Sequence, residues 1–426
     1  MKRTVLYDNG TINASSKSNE NNEKIAIIVY EYGLGNSPSL INLAGLLSKS
    51  KYSVDFFICN TYVGMLTFDD PTIHIHDLSL IEKDLPGFFS SAIKQILRRI
   101  QCSHSASFLV RCAAMYLRYR ISIYADFIAA TVGDTHYKCL IGAEPPGLMA
   151  AALLGKKLHT PYIYYNLELH SSSDIDEGME WTVKNIEEEF QQEAIFTITQ
   201  DDARAGILAQ ENSVALDKIV TIPVCADGEP FKEKTNILRE RLRIGADRII
   251  VLYAGFIAEW ALCEEIAKSA QSWPAKFVLV FHSHGFDDLS YQMKLKKYEG
   301  TMVYFSDDPV TYEALPEFLA SADIGIALYR GSKGNNFKLI SSASGKIAHY
   351  LKSGLPIIVN NYPEISTIVE SYSCGIAIDR MESIADAIQT ICDRYAGMRE
   401  GSYRCYEEHY RLSRHFSKLL DRLQRI

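Results

Sequence analysis

No apolar run in this 426-residue sequence approaches the roughly 18 residues that cross a bilayer as a helix, so no segment is expected to span a membrane that way. The nine cysteines include no CxxC pair and no regular framework, which fits reduced thiols in a cytosol better than a disulfide scaffold. A basic excess is also missing. The formal charge of -8 argues against general nucleic-acid binding. Residues 1–23 are polar, rich in Asn and Ser, and lack the apolar centre of a signal peptide, so they read as a disordered lead-in. Acidic residues vanish between Leu85 and Ala125, where Lys94, Arg98, Arg99, Arg111, Arg118 and Arg120 remain. Within it, Ile93–Ile100 has the pattern of a basic amphipathic helix. A solvated helix or a peripheral contact with anionic membrane, at the inner face of a cytoplasmic protein's membrane, would each suit it.

What is present is globular: 47% of residues are hydrophobic and 23% charged, enough for more than one core. Continuous apolar runs of strand length alternate with helical patterns. In the first half they are Lys24–Tyr30, Tyr52–Cys59, Cys139–Gly142, Tyr162–Tyr165, Ile195–Thr199 and Ile219–Val224. In the second half they are Arg248–Tyr253, Lys276–Phe281, Met302–Phe305, Ile324–Leu328 and Leu355–Val359. Runs without period-2 alternation suit strands covered on both faces, as in parallel sheets. The expectation is α/β: two Rossmann-like, doubly wound domains, at 24–224 and 225–400, facing a cleft. A C-terminal helix (401–426) would pack near the domain junction.

The most informative segment is Ser341–Asn360. Ser344 is a natural N-cap, Ile347, Tyr350 and Leu351 form an apolar stripe, and Gly354 suits the C-terminal cap. Lys346 therefore stands in a first helical turn, where the macrodipole disfavours a cation. A bound phosphate would reverse that conflict; an exposed lysine would tolerate it at a cost of a few tenths of a kcal/mol.

This segment resembles the nucleotide-sugar-binding helix of family-4-like (group 1) glycosyltransferases, P-S-K-x-x-E-Y-L-A-x-G-x-P-V-I, with Lys346, Tyr350, Leu351, Gly354, Pro356 and Ile357 matching. Pro223, the Leu252–Gly255 turn, Leu315–Tyr329 and Pro363–Ile365 resemble flanking pieces in order and spacing. The resemblance implies a GT-B glycosyltransferase. It would move a sugar from a nucleotide-diphosphate donor, with UDP expected, to a glycan or lipid-linked acceptor with retention, and would need no metal or other cofactor. Polysaccharide biosynthesis is the implied setting. It also implies donor contacts at Gly35, Asn36, Gly255, His284, Ser344, Gly345, Lys346, His349 and Glu364. The family's paired glutamates would fall on Ser341 and His349, and its Arg and Lys after the glycine of the strand-turn on Phe256 and Trp260. That leaves Lys346 and the loop Gly331–Gly334 to carry the donor's charge. His349 could bond a ribose hydroxyl.

Tyr32–Pro38 is no dinucleotide fingerprint, because Pro38 takes the third glycine's place and Asp55 stands early in its strand. Gly345–Lys346 is no Walker loop, because position 340 is Ile and 347 is not Ser or Thr. In the first half Glu144, Glu168 and His170 follow strands and are candidate acceptor-binding residues. Glu168 could orient an acceptor hydroxyl or act as base, or serve only as a structural hydrogen-bond partner. Glu168 and Lys346 are the candidate catalytic pair. His74 with His76, and His282 with His284, have HxH spacing, but no third ligand at zinc spacing accompanies either. A nucleotide-sugar epimerase of the same shape and a non-catalytic GT-B partner or sugar-binding subunit are the alternatives.

Overall fold

The computed structural model describes residues 22–30, 37–59, 68–78, 106–175, 178–283 and 289–426. Gly35, Asn36, His284, residues 1–21 and most of the basic stretch lie outside these. Seven parallel strands form the first sheet: β1 (Lys24–Val29), β2 (Ser53–Ile58), β3 (Ile73–Asp77), β4 (Cys139–Ala143), β5 (Tyr162–Tyr165), β6 (Thr197–Thr199) and β7 (Ile219–Thr221). Six parallel strands form the second: β8 (Ile249–Ala254), β9 (Phe277–His282), β10 (Val303–Ser306), β11 (Ile324–Ala327), β12 (Ile357–Asn360) and β13 (Gly375–Ile378). Their orders are β3-β2-β1-β4-β5-β6-β7 and β10-β9-β8-β11-β12-β13. In each sheet the order reverses beside the first strand of its domain, at β1/β4 and β8/β11, which is where open α/β sheets leave a crevice.

Strand alternation sorts each sheet's core into two layers. Ile25, Ile27 and Val29 face helix Pro38–Lys49, whereas Ala26 and Ile28 face helices Glu144–Leu158 and Met179–Gln191. Both faces are covered, which explains the unbroken apolar runs. In the second sheet Val251 and Tyr253 point to one layer, and Ile250 and Leu252 to the other. Helix Ala106–Val132 covers the first sheet through Ile121, Tyr124 and Ile128. The sequence reading did not anticipate its length. Of the basic residues it carries, Arg118 pairs with Glu189 at 2.8 Å. Among the described residues no helix is long and apolar enough to cross a membrane.

The last helix, Leu412–Leu423, returns to the first domain. Its Leu412, Phe416, Leu419 and Leu423 are buried in the same layer as Ile27 and Phe56. The backbone therefore crosses between the domains twice, and the two crossings pair where Ala226 bridges Arg411.

Helix Gly345–Lys352 is held on the second sheet by Tyr350, which is fully buried. The Tyr350 ring lies over Gly325 of β11, where an added Cβ would stand 2.5 Å from a ring carbon. Gly325→Ala is expected to push this helix off the sheet. The stability loss should be about 1–3 kcal/mol, read as a lowered urea midpoint, and nucleotide binding should weaken with it. An unchanged midpoint would show that the helix seats itself without that contact.

Candidate active site

The second switch point is built by three segments. The β8 strand ends in Ala254–Gly255, and the Ala254 N–H donates to the Tyr350 hydroxyl at 2.6 Å. Gly255 has φ +142, and a Cβ there would meet Lys346 Cε at 3.2 Å, so glycine is required for the close approach. After β11, the Tyr329 hydroxyl shares a 2.6 Å hydrogen bond with Ser344 Oγ. Ser344 caps helix Gly345–Lys352 by accepting from the Ile347 N–H. The sequence-derived cap is thus present, with a second partner that local reasoning did not show.

Lys346 enters this corner in the first helical turn. Its ammonium lies 3.9 Å from the Tyr253 ring centroid and 5.2 Å from that of Tyr329. The nitrogen is screened from solvent and has no hydrogen-bond partner among the described residues. Burial pulls its pKa down to about 8. A buried cation with no counter-charge among the described residues is expensive, and it makes this corner a candidate anion site.

His349 lies one turn further along. Only 6% of it is exposed, both ring nitrogens are buried without partners, and the ring meets Tyr312 edge-on at 5.4 Å. Burial, with Lys352 nearby, lowers its pKa to about 4, so it is neutral at ordinary pH. Glu364 accepts from Ser341 Oγ at 3.0 Å. Desolvation and the charge of Asp201 raise its pKa.

The first domain supplies the facing wall. Glu144 is 1% exposed and adopts φ +59, a left-handed conformation unusual for a side chain larger than glycine. Its carboxylate accepts from the backbone N–H groups of Leu167 and Glu168, and its second oxygen lies 3.2 Å from His170 Nε2. The side chain is therefore occupied in shaping the 167–170 turn. Glu168, carried by that turn, accepts from the Asn336 side-chain amide of the second domain. The Glu168 side chain is exposed to solvent. Desolvation, then the charge of Glu144, raises its pKa.

Loop 331–340 does not sit open as a phosphate cradle. Gly334 packs against Asp174, and the Asn335 N–H donates to the Asp174 carboxylate. The Leu169 N–H donates to Asn336 Oδ1 at 3.0 Å. Fully buried Arg204 donates to the carbonyls of Leu339 at 3.0 Å and Asn336 at 2.8 Å. Arg204 carried no signal in the sequence, because its partners lie far along the chain. His74 and His76 are turned toward Asp55, with His76 Nε2 at 3.1 Å and the Tyr137 hydroxyl also donating at 2.6 Å. Desolvation opposes these contacts, yet the two hydrogen bonds and Lys24 hold the Asp55 pKa at about 2. His282 is buried against Ser306 at 3.1 Å.

Two Rossmann-like domains facing a cleft, each with its switch point turned to it, define the GT-B fold. Comparison with solved structures agrees. A sucrose-phosphate synthase from Thermosynechococcus elongatus superposes with a TM-score of 0.68 at 15% identity, over 94% of this chain and 99% of that one. The Anabaena protein HepE in complex with UDP-glucose gives 0.62 at 11%, over 95% and 100%. A UDP-forming α,α-trehalose-phosphate synthase from Burkholderia vietnamiensis gives 0.63 at 12%, over 95% and 100%. Residues 296–408 match the model of the glucosyltransferase 3-like C-terminal domain. No curated protein sequence matches the chain.

Proposed function

We propose that the protein is a glycosyltransferase that takes a sugar from a nucleotide-diphosphate donor, with UDP as the nucleotide, and passes it to a glycan or lipid-linked acceptor. The observation that carries this reading is the unpartnered Lys346 ammonium at the first turn of a capped helix, in the crevice of the second sheet. A diphosphate there gains the ammonium and the free N–H groups of the helix start together. His349, three residues on, offers one donor and one acceptor nitrogen to a ribose. The presence of UDP or UDP-glucose in similar folds supports the choice of nucleotide.

In the proposed reaction the bond from the anomeric carbon to the β-phosphate oxygen breaks, and its electron pair leaves with UDP. Lys346 neutralises that departing charge. The acceptor hydroxyl bonds to the anomeric carbon on the same face, and its proton passes to the departing phosphate oxygen, giving retention without a protein nucleophile. Glu168 orients the acceptor hydroxyl from the opposite wall. Lys346 supplies the countercharge, so the proposal includes no metal.

The test is a thermal-shift panel of UDP, GDP, ADP and CMP on wild type and on Lys346→Met. Saturating ligand, at 100 times its dissociation constant, stabilises by about 2.7 kcal/mol. UDP should raise the melting temperature of wild type and not of the variant. A wild type indifferent to all four would sink the donor-site reading. It would favour the non-catalytic subunit, which the substitution of Ser341 and His349 for the family's glutamates already suggests.

A further inference from the structure

Beside Lys346 the crevice carries a row of rings that the charge-based reading leaves idle. Phe256 follows Gly255, and its ring is nearly parallel to that of Trp260, at 6.3 Å between centroids and 6° between planes. Trp260 is in turn parallel to Tyr329, at 6.1 Å and 4°, and also faces Phe337 at 5.4 Å. Tyr329, at the inner end, lies 5.2 Å from the Lys346 ammonium, which rests more closely on Tyr253. Phe256, at the outer end, is 42% exposed. The row therefore leads from a buried cation with no hydrogen-bond partner among the described residues out to solvent.

Exposed large rings are costly in water and are usually turned inward. Here the Tyr253 hydroxyl donates to the Phe256 carbonyl, and the Arg330 N–H donates to the Trp260 carbonyl at 2.8 Å, so the backbone that carries both rings is anchored. Arg330, whose backbone meets Trp260, is itself engaged by Glu265 and lies 3.9 Å from Glu259. The outer rings are thus apolar, with Arg330 already paired among the described residues, whereas the inner end lies beside the Lys346 cation. A ligand complementary to both ends has an anionic group adjoining a ring with an apolar face.

We infer that Phe256, with Trp260 stacked behind it, forms a stacking shelf for a pyranose ring, which lays its C–H face on the exposed end of the row while the attached or neighbouring phosphate meets Lys346. This deepens the proposed function and rests on it. The ring is either the donor's own sugar or the acceptor's, and the binding behaviour separates the two. Aromatic contacts of this kind change affinity by a few-fold to about tenfold per ring.

The experiment compares UDP, UDP-glucose and maltose by calorimetry and by tryptophan fluorescence, on wild type, Phe256→Ala and Trp260→Phe. Unchanged melting temperatures of the variants exclude misfolding, and Trp260→Phe assigns the fluorescence change to Trp260 rather than Trp181 or Trp273. The expected result is that Phe256→Ala weakens UDP-glucose about five- to tenfold and leaves UDP unchanged, which places the donor's sugar on the shelf. Weakened maltose with both nucleotides unchanged would equally support the shelf and place the acceptor there. Equal weakening of UDP and UDP-glucose would overturn it, because the rings would then be holding the nucleoside. So would no change with any probe. A wild type that binds no nucleotide, but whose Trp260 fluorescence responds to maltose, would strike the donor reading and leave the shelf standing.

Discussion

Lys346→Met should make the ligand-free protein more stable while removing its capacity to hold a nucleotide diphosphate. The folded chain buries this ammonium against the faces of Tyr253 and Tyr329, with no hydrogen bond and no counter-ion among the described residues. Methionine keeps most of the stem's volume and carries no charge to desolvate, so a gain of about 1–3 kcal/mol is expected below pH 8. The sign follows from proton binding. Lys346 titrates near 8 in the folded protein against 10.5 for the ordinary side chain, so between those values the unfolded chain holds a proton that the folded one does not. Wild-type stability therefore gains from rising pH across that window, and the advantage of the variant shrinks toward pH 10.5. Function moves the other way. UDP affinity should fall about 10- to 100-fold in the variant, and any transfer about 100- to 1000-fold. In wild type, affinity should hold up to pH 8 and then decline about tenfold per unit. Urea titrations at pH 7 and 10, with calorimetric UDP binding at each, check both halves. A variant no more stable than wild type at pH 7 would mean that the ammonium finds compensation this geometry does not show.

Arg204→Ala should cost about 3–5 kcal/mol and free the loop that closes the cleft. The guanidinium is fully buried and joins the domains through the carbonyls of Asn336 and Leu339, with Gln200 Oε1 accepting at 3.1 Å. Burial lowers its pKa, but a guanidinium still stays charged, so the contact is a permanent one. Alanine would leave two carbonyls unpaired, a void, and Asp201 without the cation that lies 3.7 Å away. Lysine at this position would keep the charge and lose the fork, recovering only part of the loss. Urea denaturation gives the energy, and limited proteolysis within 331–340 reports the loop. A loss under about 1 kcal/mol with the loop still protected would show that Asn335 and Asn336 hold the cleft without Arg204.

Most strands were legible because both sheets are covered on both faces. Ile25–Val29 and Phe277–Phe281 are buried throughout and read as unbroken apolar runs. Strand β13 escaped notice because Gly375–Ile378 is four residues long and half-buried at its centre. Helix Gly345–Lys352 announced itself through a local cap and stripe, so Lys346 could be found from sequence. The residues that face it could not. Arg204 looks like any surface arginine until loop 331–340 folds over it, and Asn336 is set by contacts more than a hundred residues distant. Phe256 and Trp260 stand in the sequence where the resemblance expects Arg and Lys, and their alignment is not legible there, because a row of parallel rings exists only after β8 and β11 come side by side. Glu144 illustrates the reverse. It was chosen as a carboxylate at a strand end, and the structure gives it two backbone N–H groups to hold.

Helix Leu412–Leu423 completes the core built on β1 and β2, which lie almost the whole length of the chain before it. On the ribosome, the domain made first is therefore the one finished last. Its layer around Ile27 and Phe56 stays open until the second domain has emerged and the chain has turned back. During that interval the part of this apolar layer that helix Pro38–Lys49 leaves uncovered is exposed to every neighbouring nascent chain. Cutting the chain before Leu412 would turn that passing exposure into a permanent one, so the two halves of the cleft are joined in synthesis as well as in space.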